Sequence, residues 1–388
     1  MNFDLTPEQK LLESTAASFV KKESPLTRLR AMREDEIGWS KDTWRKMAEL
    51  GWLGLPFPES AGGFDGTFVD VAIILEQMGT TLVPEPYVAS VLCAGTAVAR
   101  LGNADQLDKI LGPLINGETS LAFAHAERGN RFDTTWVETT ATRDGDDYVL
   151  QGEKVFVVNG HAADVIILSA RTSGKVDEAK GISLFAVPRE VVLSSLKTVK
   201  TLDGQKAAMI SLNGIRISSS RRLGEEGEAA AVIDEVLDIG AAAACAEGLG
   251  VMRTALAMTV DYLKTREQFG VKIGTFQALQ HRAVDMFVRT ELARGTSILA
   301  NLSLSNPDPA ERRQAVSAAK VELALCGRFV TQQAIQLHGG IGITDEADIG
   351  LYFKRMHALN TLFGDEDFHL GRFAGSPTFA TRIGGASV

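Results

Sequence analysis

The chain has 388 residues, 45% hydrophobic and 23% charged, enough for two or three domains with buried cores and ordinary for a globular protein. Its net charge of -9 offers no basic field to draw in a nucleic-acid backbone. No apolar run approaches the ~20 residues that cross a bilayer, and the acidic opening MNFDLTPEQK lacks the cationic and apolar regions of a signal peptide, so a cytoplasmic location is expected.

Thr6-Pro7-Glu8-Gln9 reads as a capping box with proline at the first helical position, followed by the apolar stripe Leu11, Leu12, Ala16, Phe19 and Val20. A second helix is expected from Lys41 to Leu50, stopped by Gly51. A loop follows, carrying Pro58-Glu59 and Gly62-Gly63. Helical patterns continue at Val69 to Met78, Tyr87 to Leu101 and Ala104 to Ile115. From Ser120 the hydrophobic period changes from near 3.6 to 2. Six short antiparallel strands are expected, at Leu121 to Ala126, Val137 to Arg143, Tyr148 to Val158, Val165 to Ala170, Ile182 to Val187 and Met209 to Ile217, with Asp144-Gly145-Asp146-Asp147 and Asn159-Gly160 as turns. Helical character returns at Glu226 and holds at Ala229 to Lys264, Phe276 to Asn301, Ala310 to Leu337 and Ile349 to Phe363. The expected class is therefore α+β. A helical N-terminal domain (1–118) precedes a small antiparallel β domain (119–225), a C-terminal four-helix bundle (226–375) and a mobile tail (376–388).

Cys93, Cys245 and Cys326 lie in Ala-rich helical surroundings without CxxC spacing and are expected to be buried thiols. The six histidines form no ligand spacing, so no metal site is expected. Gly248-Leu249-Gly250-Val251-Met252-Arg253 starts like a dinucleotide fingerprint but lacks the third glycine and the preceding strand, which points to helix packing instead.

Two stretches stand out. In Tyr262 to Gln280, YLKTREQFGVKIGTFQALQ, a charged, Gly-marked corner joins two helical patterns, the second with Phe276, Leu279 and Val284 on one face. Arg266 at the corner could bind a pyrophosphate or a carboxylate through its planar fork, or form a structural ion pair. Phe269 could offer its face to an adenine or plug the junction. In Gln336 to Thr344, QLHGGIGIT, a helical run ends in two glycines that allow close approach of a backbone or ligand.

With TREQFG, QLHGGIGIT and then Tyr352-Phe353-Lys354-Arg355 in that spacing, the chain resembles the acyl-CoA dehydrogenase flavoproteins over nearly its whole length. The resemblance implies a tetramer in which FAD lies at a dimer interface and touches two chains. It implies an acyl-CoA substrate, α,β-dehydrogenation by a glutamate base and flavin, and an electron-transfer flavoprotein as acceptor. It also assigns Arg266, Gln268, Phe269, Ile273, Gln336, Gly339 and Gly340 to the FAD of the neighbouring chain.

The sequence departs from the family where the base should be. The two usual positions hold Phe363 and Gly240, neither of which can accept a proton. The nearest carboxylates are Asp365, Glu366 and Glu247; the last shares a helical face with Gly240 but lies about 10 Å along the axis. The groups that would hold the flavin ring within the same chain have changed too. The family's Thr-Glu-Pro-Gly-Ala-Gly-Ser-Asp is Ala126-Glu127-Arg128-Gly129-Asn130-Arg131-Phe132-Asp133, and its Trp-Ile-Thr-Asn-Gly is Phe156-Val157-Val158-Asn159-Gly160. Val158 lacks the expected hydroxyl, and Phe132 replaces a small polar residue.

The resemblance is closest to the small or second subunits of heterotetrameric dehydrogenases acting on pimeloyl-type or steroid side-chain acyl-CoA. The expectation is a subunit of an α2β2 assembly in fatty-acid or steroid catabolism, paired with a homologous chain that supplies the base. Three alternatives stay open: a self-sufficient homo-oligomer with a displaced carboxylate, a flavin-free structural subunit, and a flavin oxidase or monooxygenase on the same fold.

Overall fold

The computed structural model describes residues 4–129 and 132–376. The expected tail, apart from Ser376, lies outside them, as do Asn130 and Arg131. The chain folds as two compact units: one holds Met32–Thr67 and Pro84–Gly240; the other holds the residues up to Ala31, Phe68–Val83 and everything from Ala241 on.

The first unit is built on an eight-stranded sheet. Its strands are β1 (Leu121–Ala124), β2 (Thr140–Asp144), β3 (Asp147–Val158), β4 (Val165–Arg171), β5 (Ile182–Pro188), β6 (Leu196–Lys200), β7 (Lys206–Ser218) and β8 (Arg222–Leu223). The order is β6-β7-β3-β2-β4-β5-β8, with β1 paired to β4. Long antiparallel ladders join β3 to β7 and β4 to β5. The β2–β3 hairpin turns at Gly145-Asp146, where Gly145 has φ 63°. Tyr148 packs edge-on against Phe185 at 5.1 Å, among buried Ile166, Leu168, Ile210 and Leu212.

The sheet has eight strands rather than the expected six, and it is not purely antiparallel. β1 runs parallel to β4, and β2 adds one parallel register to the same strand. The reasons are local. β6 reads LKTVK and is mostly exposed, so it shows no apolar alternation; β8 is only two residues long. Strand direction leaves no mark on hydrophobic period. The second expected strand starts at Thr140, because the amide of Val137 donates to the Val176 carbonyl in a neighbouring loop instead of a ladder.

The other unit is helical. Helix Pro7–Glu23 begins with the reciprocal Thr6–Gln9 capping box. It packs with Phe68–Thr81, and Gln9 Nε2 donates to Asp70 Oδ1 at 2.9 Å. The long helix Ala230–Thr265 runs for 36 residues. Within it, Gly250 lies against the Phe68–Thr81 helix so closely that a Cβ would overlap the Glu76 carbonyl oxygen; a Cβ on Gly79 would likewise overlap that of Glu247. The apparent dinucleotide motif is thus a helix-crossing point. Helices Gln277–Ser303 and Pro309–His338 pack side by side, the second started by Asp308, whose side chain accepts from the Ala310 amide at 2.9 Å. Helices Ile349–Thr361 and Glu366–Ala374 complete the unit. Lys320, fully buried, donates to the carbonyls of Leu359 (2.7 Å) and Leu362 (2.8 Å) at the end of Ile349–Thr361. Burial lowers its pKa to about 8. Val284, on the same helical face as Phe276 and Leu279, is 57% exposed.

All three cysteines are buried free thiols. Among the described residues there is no cluster able to hold a metal, and no helix is long and apolar enough to cross a membrane.

Candidate functional site

The corner after Ala230–Thr265 folds as a miniature hairpin. Glu267–Gln268 pairs antiparallel with Val271–Lys272, leaving Phe269-Gly270 as a two-residue turn. Both turn residues have positive φ, 55° and 76°, as this turn type requires. A phenylalanine rarely accepts that conformation, and here it throws the ring outward: Phe269 is 90% exposed, with Phe276 edge-on to it at 6.2 Å. The amide of Ile273 donates to the Arg266 carbonyl at 2.9 Å and closes the corner; the Arg266 side chain is exposed. Gln268 is exposed too, its amide donating to the Glu267 carbonyl at 2.9 Å.

The double glycine lies at the same end of the helical unit. Tyr262 stacks on His338 at 4.6 Å and 24°, tying the last turn of Ala230–Thr265 to the last turn of Pro309–His338. His338 Nδ1 donates to the Ala334 carbonyl at 2.7 Å, and burial lowers its pKa. Gly339 (φ 65°) and Gly340 follow at once, with nothing within 4 Å of where a Cβ would stand. No internal contact demands glycine there, so the room faces outward, as it does at Gly270. Gln336, Ile341 and Ile343 are exposed beside it. The Tyr262–His338 stack thus puts the corner and the double glycine at one end of the helical unit, with Arg266, Gln268, Phe269, Gln336, Gly339 and Gly340 exposed and Ile273 packed against the core. The exposed set suits an anionic, ring-bearing group.

In the sheet unit, Phe156 sits in a bulge of β3 where the register shifts between Lys154 and Val157. Its φ is 52° and its ring is 45% exposed. Asn159, also at positive φ (61°), is held by the indole of Trp39, which donates to its Oδ1 at 3.0 Å, and by its own donation to the Leu121 carbonyl at 3.0 Å. Val158 follows the bulge with no hydroxyl to offer.

The three candidate carboxylates are all engaged. Glu247 is buried and accepts twice from Arg355, Nε to Oε1 at 2.6 Å and Nη2 to Oε2 at 2.8 Å. Asp365 caps helix Glu366–Ala374, accepting from the Phe368 amide at 2.9 Å. Glu366 pairs with Arg328 at 3.0 Å. Phe363, at one usual base position, has φ 60°, and its carbonyl accepts from His369 Nε2 at 2.9 Å.

Sequence reasoning missed a buried polar network beneath β1. Lys154 Nζ donates to Glu127 Oε1 at 2.5 Å and to Ser169 Oγ at 2.9 Å. Glu127 also accepts the amides of Glu138 and Thr139. His125 Nδ1 lies 3.0 Å from the same Ser169 hydroxyl. Burial lowers Lys154 to about 8 against the pull of Glu127, and burial with the Lys154 charge lowers His125 to about 3. Lys154, charged at an inward position of the β3 alternation, was the available signal. Asp238, fully buried two residues before Gly240, was missed as well; at about 200° around the helix it leaves another face than Gly240.

Three family models match in series: "Acyl-CoA dehydrogenase, N-terminal domain" over residues 6–118, "middle domain" over 122–215 and "C-terminal domain" over 229–376. The chain is 30% identical to the acyl-CoA dehydrogenase IpdE2 of Mycolicibacterium smegmatis, covering 93% of this chain and 96% of that protein. Among solved structures it is similar to a variant of the Tcur3481-Tcur3483 steroid ACAD (29% identity, 98% and 99% coverage, TM-score 0.84). It is also similar to butyryl-CoA dehydrogenase from Megasphaera elsdenii (25% identity, 97% and 99% coverage, TM-score 0.84).

Proposed function

Because the chain belongs to the acyl-CoA dehydrogenase family, oxidoreductases with FAD as cofactor, we propose that it acts as the subunit of an α2β2 assembly that lacks the proton-abstracting glutamate. The observation that carries this reading is an asymmetry. Arg266, Phe269, Gly339 and Gly340 are all exposed, with open space at both glycines, while Glu247, Asp365 and Glu366 are each committed to an ion pair or a helix cap. A base must come within hydrogen-bond reach of the proton it takes, and a carboxylate already gripped by two guanidinium donors is a poor acceptor.

The flavin, when bound, supplies hydride acceptance from the β-carbon of an acyl-CoA. This chain's residues do the positioning. Arg266 would hold the pyrophosphate of the bound cofactor, Phe269 would cover its adenine side, and Gly339-Gly340 would let the backbone approach. The homologous partner provides the base, and an electron-transfer flavoprotein receives the electrons.

Arg266→Ala tests the assignment. A charge-assisted hydrogen bond contributes roughly 1.5–3 kcal/mol, so FAD affinity of the complex should fall about 10- to 150-fold. Lysine should rescue only in part, lacking the two-point fork. Flavin absorbance after gel filtration reads occupancy, with circular dichroism confirming the fold. Undiminished affinity in the folded variant would make Arg266 a surface charge without a cofactor role.

A further inference from the structure

Three cationic side chains gather at one end of the sheet. His161 stands in the turn between β3 and β4, Arg189 directly follows β5, and Lys206 opens β7. A single loop fixes two of them: His161 Nε2 donates to the Ile37 carbonyl at 2.8 Å, and Lys206 Nζ donates to the carbonyl of Asp35, two residues earlier. Arg189 is held at the same end by its amide, which donates to the Asp164 carbonyl at 3.0 Å. Its charge, like that of Lys206, acts on the His161 ring.

Two polar atoms of this cluster are buried without a partner: Nδ1 of His161, a residue only 7% exposed, and Nε of Arg189. Buried groups left unmet are costly and rare, and each calls for a water or an ion. The neighbouring carboxylates are spent elsewhere. Asp35 accepts the amides of Ile37 (2.8 Å) and Gly38 (2.9 Å), Asp164 accepts that of Ser120 (2.7 Å), and Glu34 pairs with Lys200 at 3.1 Å. Among the described residues Arg189 has no ion pair at all. A water would satisfy the hydrogen bonds but leave the guanidinium charge uncompensated; an anion satisfies both.

Hydrogen-bond polarity says which anion. Because Nε2 donates to Ile37, Nδ1 of His161 carries the lone pair, and burial above all keeps the ring neutral by lowering its pKa. The cluster therefore asks for a ligand that donates to Nδ1 and accepts from Arg189 Nε. Inorganic phosphate does both near neutral pH, because it keeps a P–OH beside charged oxygens. Sulfate keeps no proton, and an esterified phosphate, with a second pKa of roughly 6, has mostly lost its own. We propose that His161, Arg189 and Lys206 form a binding site for inorganic phosphate. His161 Nδ1 accepts from the phosphate hydroxyl, Arg189 Nε donates to a charged oxygen, and Lys206 adds attraction. Arg189 is only half-buried and gives the ligand its approach. The site lies wholly within the sheet unit, apart from Arg266 and the double glycine, and does not rest on the flavin reading.

Titration calorimetry on the full chain in phosphate-free chloride buffer tests it, with sodium phosphate, sodium sulfate and methyl phosphate as separate titrants at matched ionic strength. Phosphate should bind saturably, one per chain. Sulfate and methyl phosphate should bind about 10-fold more weakly or worse, for want of one buried hydrogen bond. Arg189→Gln should weaken phosphate about 10- to 150-fold. His161→Phe removes the acceptor and should bring phosphate down to the level of sulfate. Lys180→Gln, an exposed charge just before the far end of β5, should change nothing. Circular dichroism checks the fold of each variant; if His161→Phe does not fold, Arg189→Gln and the anion comparison still decide. The proposal is overturned by absence of saturable phosphate binding, by equal binding of sulfate or methyl phosphate, or by unchanged affinity in folded Arg189→Gln.

Discussion

Glu247→Gln separates a structural carboxylate from a catalytic one. Glu247 and Arg355 have side chains 7% and 10% exposed and share two hydrogen bonds, at 2.6 and 2.8 Å. Removing one charge leaves the other buried without its counter-ion, which typically costs 3–5 kcal/mol. The amide keeps the shape and one acceptor, so about 3 kcal/mol is the expected loss for Glu247→Gln and somewhat more for Arg355→Met. The double variant Glu247→Leu/Arg355→Met should recover much of that loss, because it leaves neither charge stranded; the interaction energy in the cycle is then large and favourable. Urea denaturation of the assembled protein at constant subunit concentration gives the free energies from the shift in midpoint. Turnover measured on the folded fraction should stay within a few-fold. If stability is untouched while turnover drops by about 10²–10⁴, the size expected for a lost general base, the assignment of Glu247 as a structural partner is wrong.

Other outcomes follow from packing and titration. Gly250→Ala would gain about 1 kcal/mol from helix propensity alone, but its methyl group must displace the Glu76 carbonyl. The net effect should be a loss of about 1–3 kcal/mol, read as a lowered melting temperature; a stabilised variant would contradict the helix crossing. His125 and His369 are both lowered to about 3, each by burial first, then by Lys154 and Lys320 respectively. Their folded-state pKa lies below the unfolded value, so their contribution is complete above about pH 6.5 and is lost as pH falls towards 3, at up to ~1.4 kcal/mol per pH unit each. His369→Gln should flatten the acid limb of the stability curve by close to one proton, and an unchanged limb would refute the buried neutral imidazole. Lys154→Met strands the buried carboxylate of Glu127 and should cost about 3–5 kcal/mol in the same denaturation assay.

The helices were legible because each carries its own punctuation. Thr6 to Gln9 announces a helix start in the letters themselves, and the structure places one there. Side chains that alternate or recur every third or fourth residue report burial, so the switch at Ser120 could be read. Pairing partners could not: nothing in Leu121 to Ala124 says that it runs parallel to β4. The same limit applies to the site. Arg266 and Gly339 are legible as motifs, but the stack of Tyr262 on His338 that ties the two helix ends beside them together joins residues 76 positions apart. The commitment of Glu247 to Arg355, more than a hundred positions away, had no local signal either; only three dimensions show that this carboxylate is already spoken for.

The helical unit is assembled from three separate stretches: the residues up to Ala31, Phe68–Val83, and the chain from Ala241 on. Its pieces are therefore made far apart in time. During synthesis the sheet unit is complete once Gly240 has emerged, while the first two helical stretches, with Gly79 waiting for Gly250, must be held open until the rest is translated. At ~5–20 residues per second the 305 residues after Val83 take roughly fifteen to sixty seconds. For that interval the residues of Phe68–Thr81 that meet the later helix, Gly79 among them, are uncovered. Ribosome-stalled chains ending near residue 260 should expose them to protease and to holding chaperones, and chains released at full length should not.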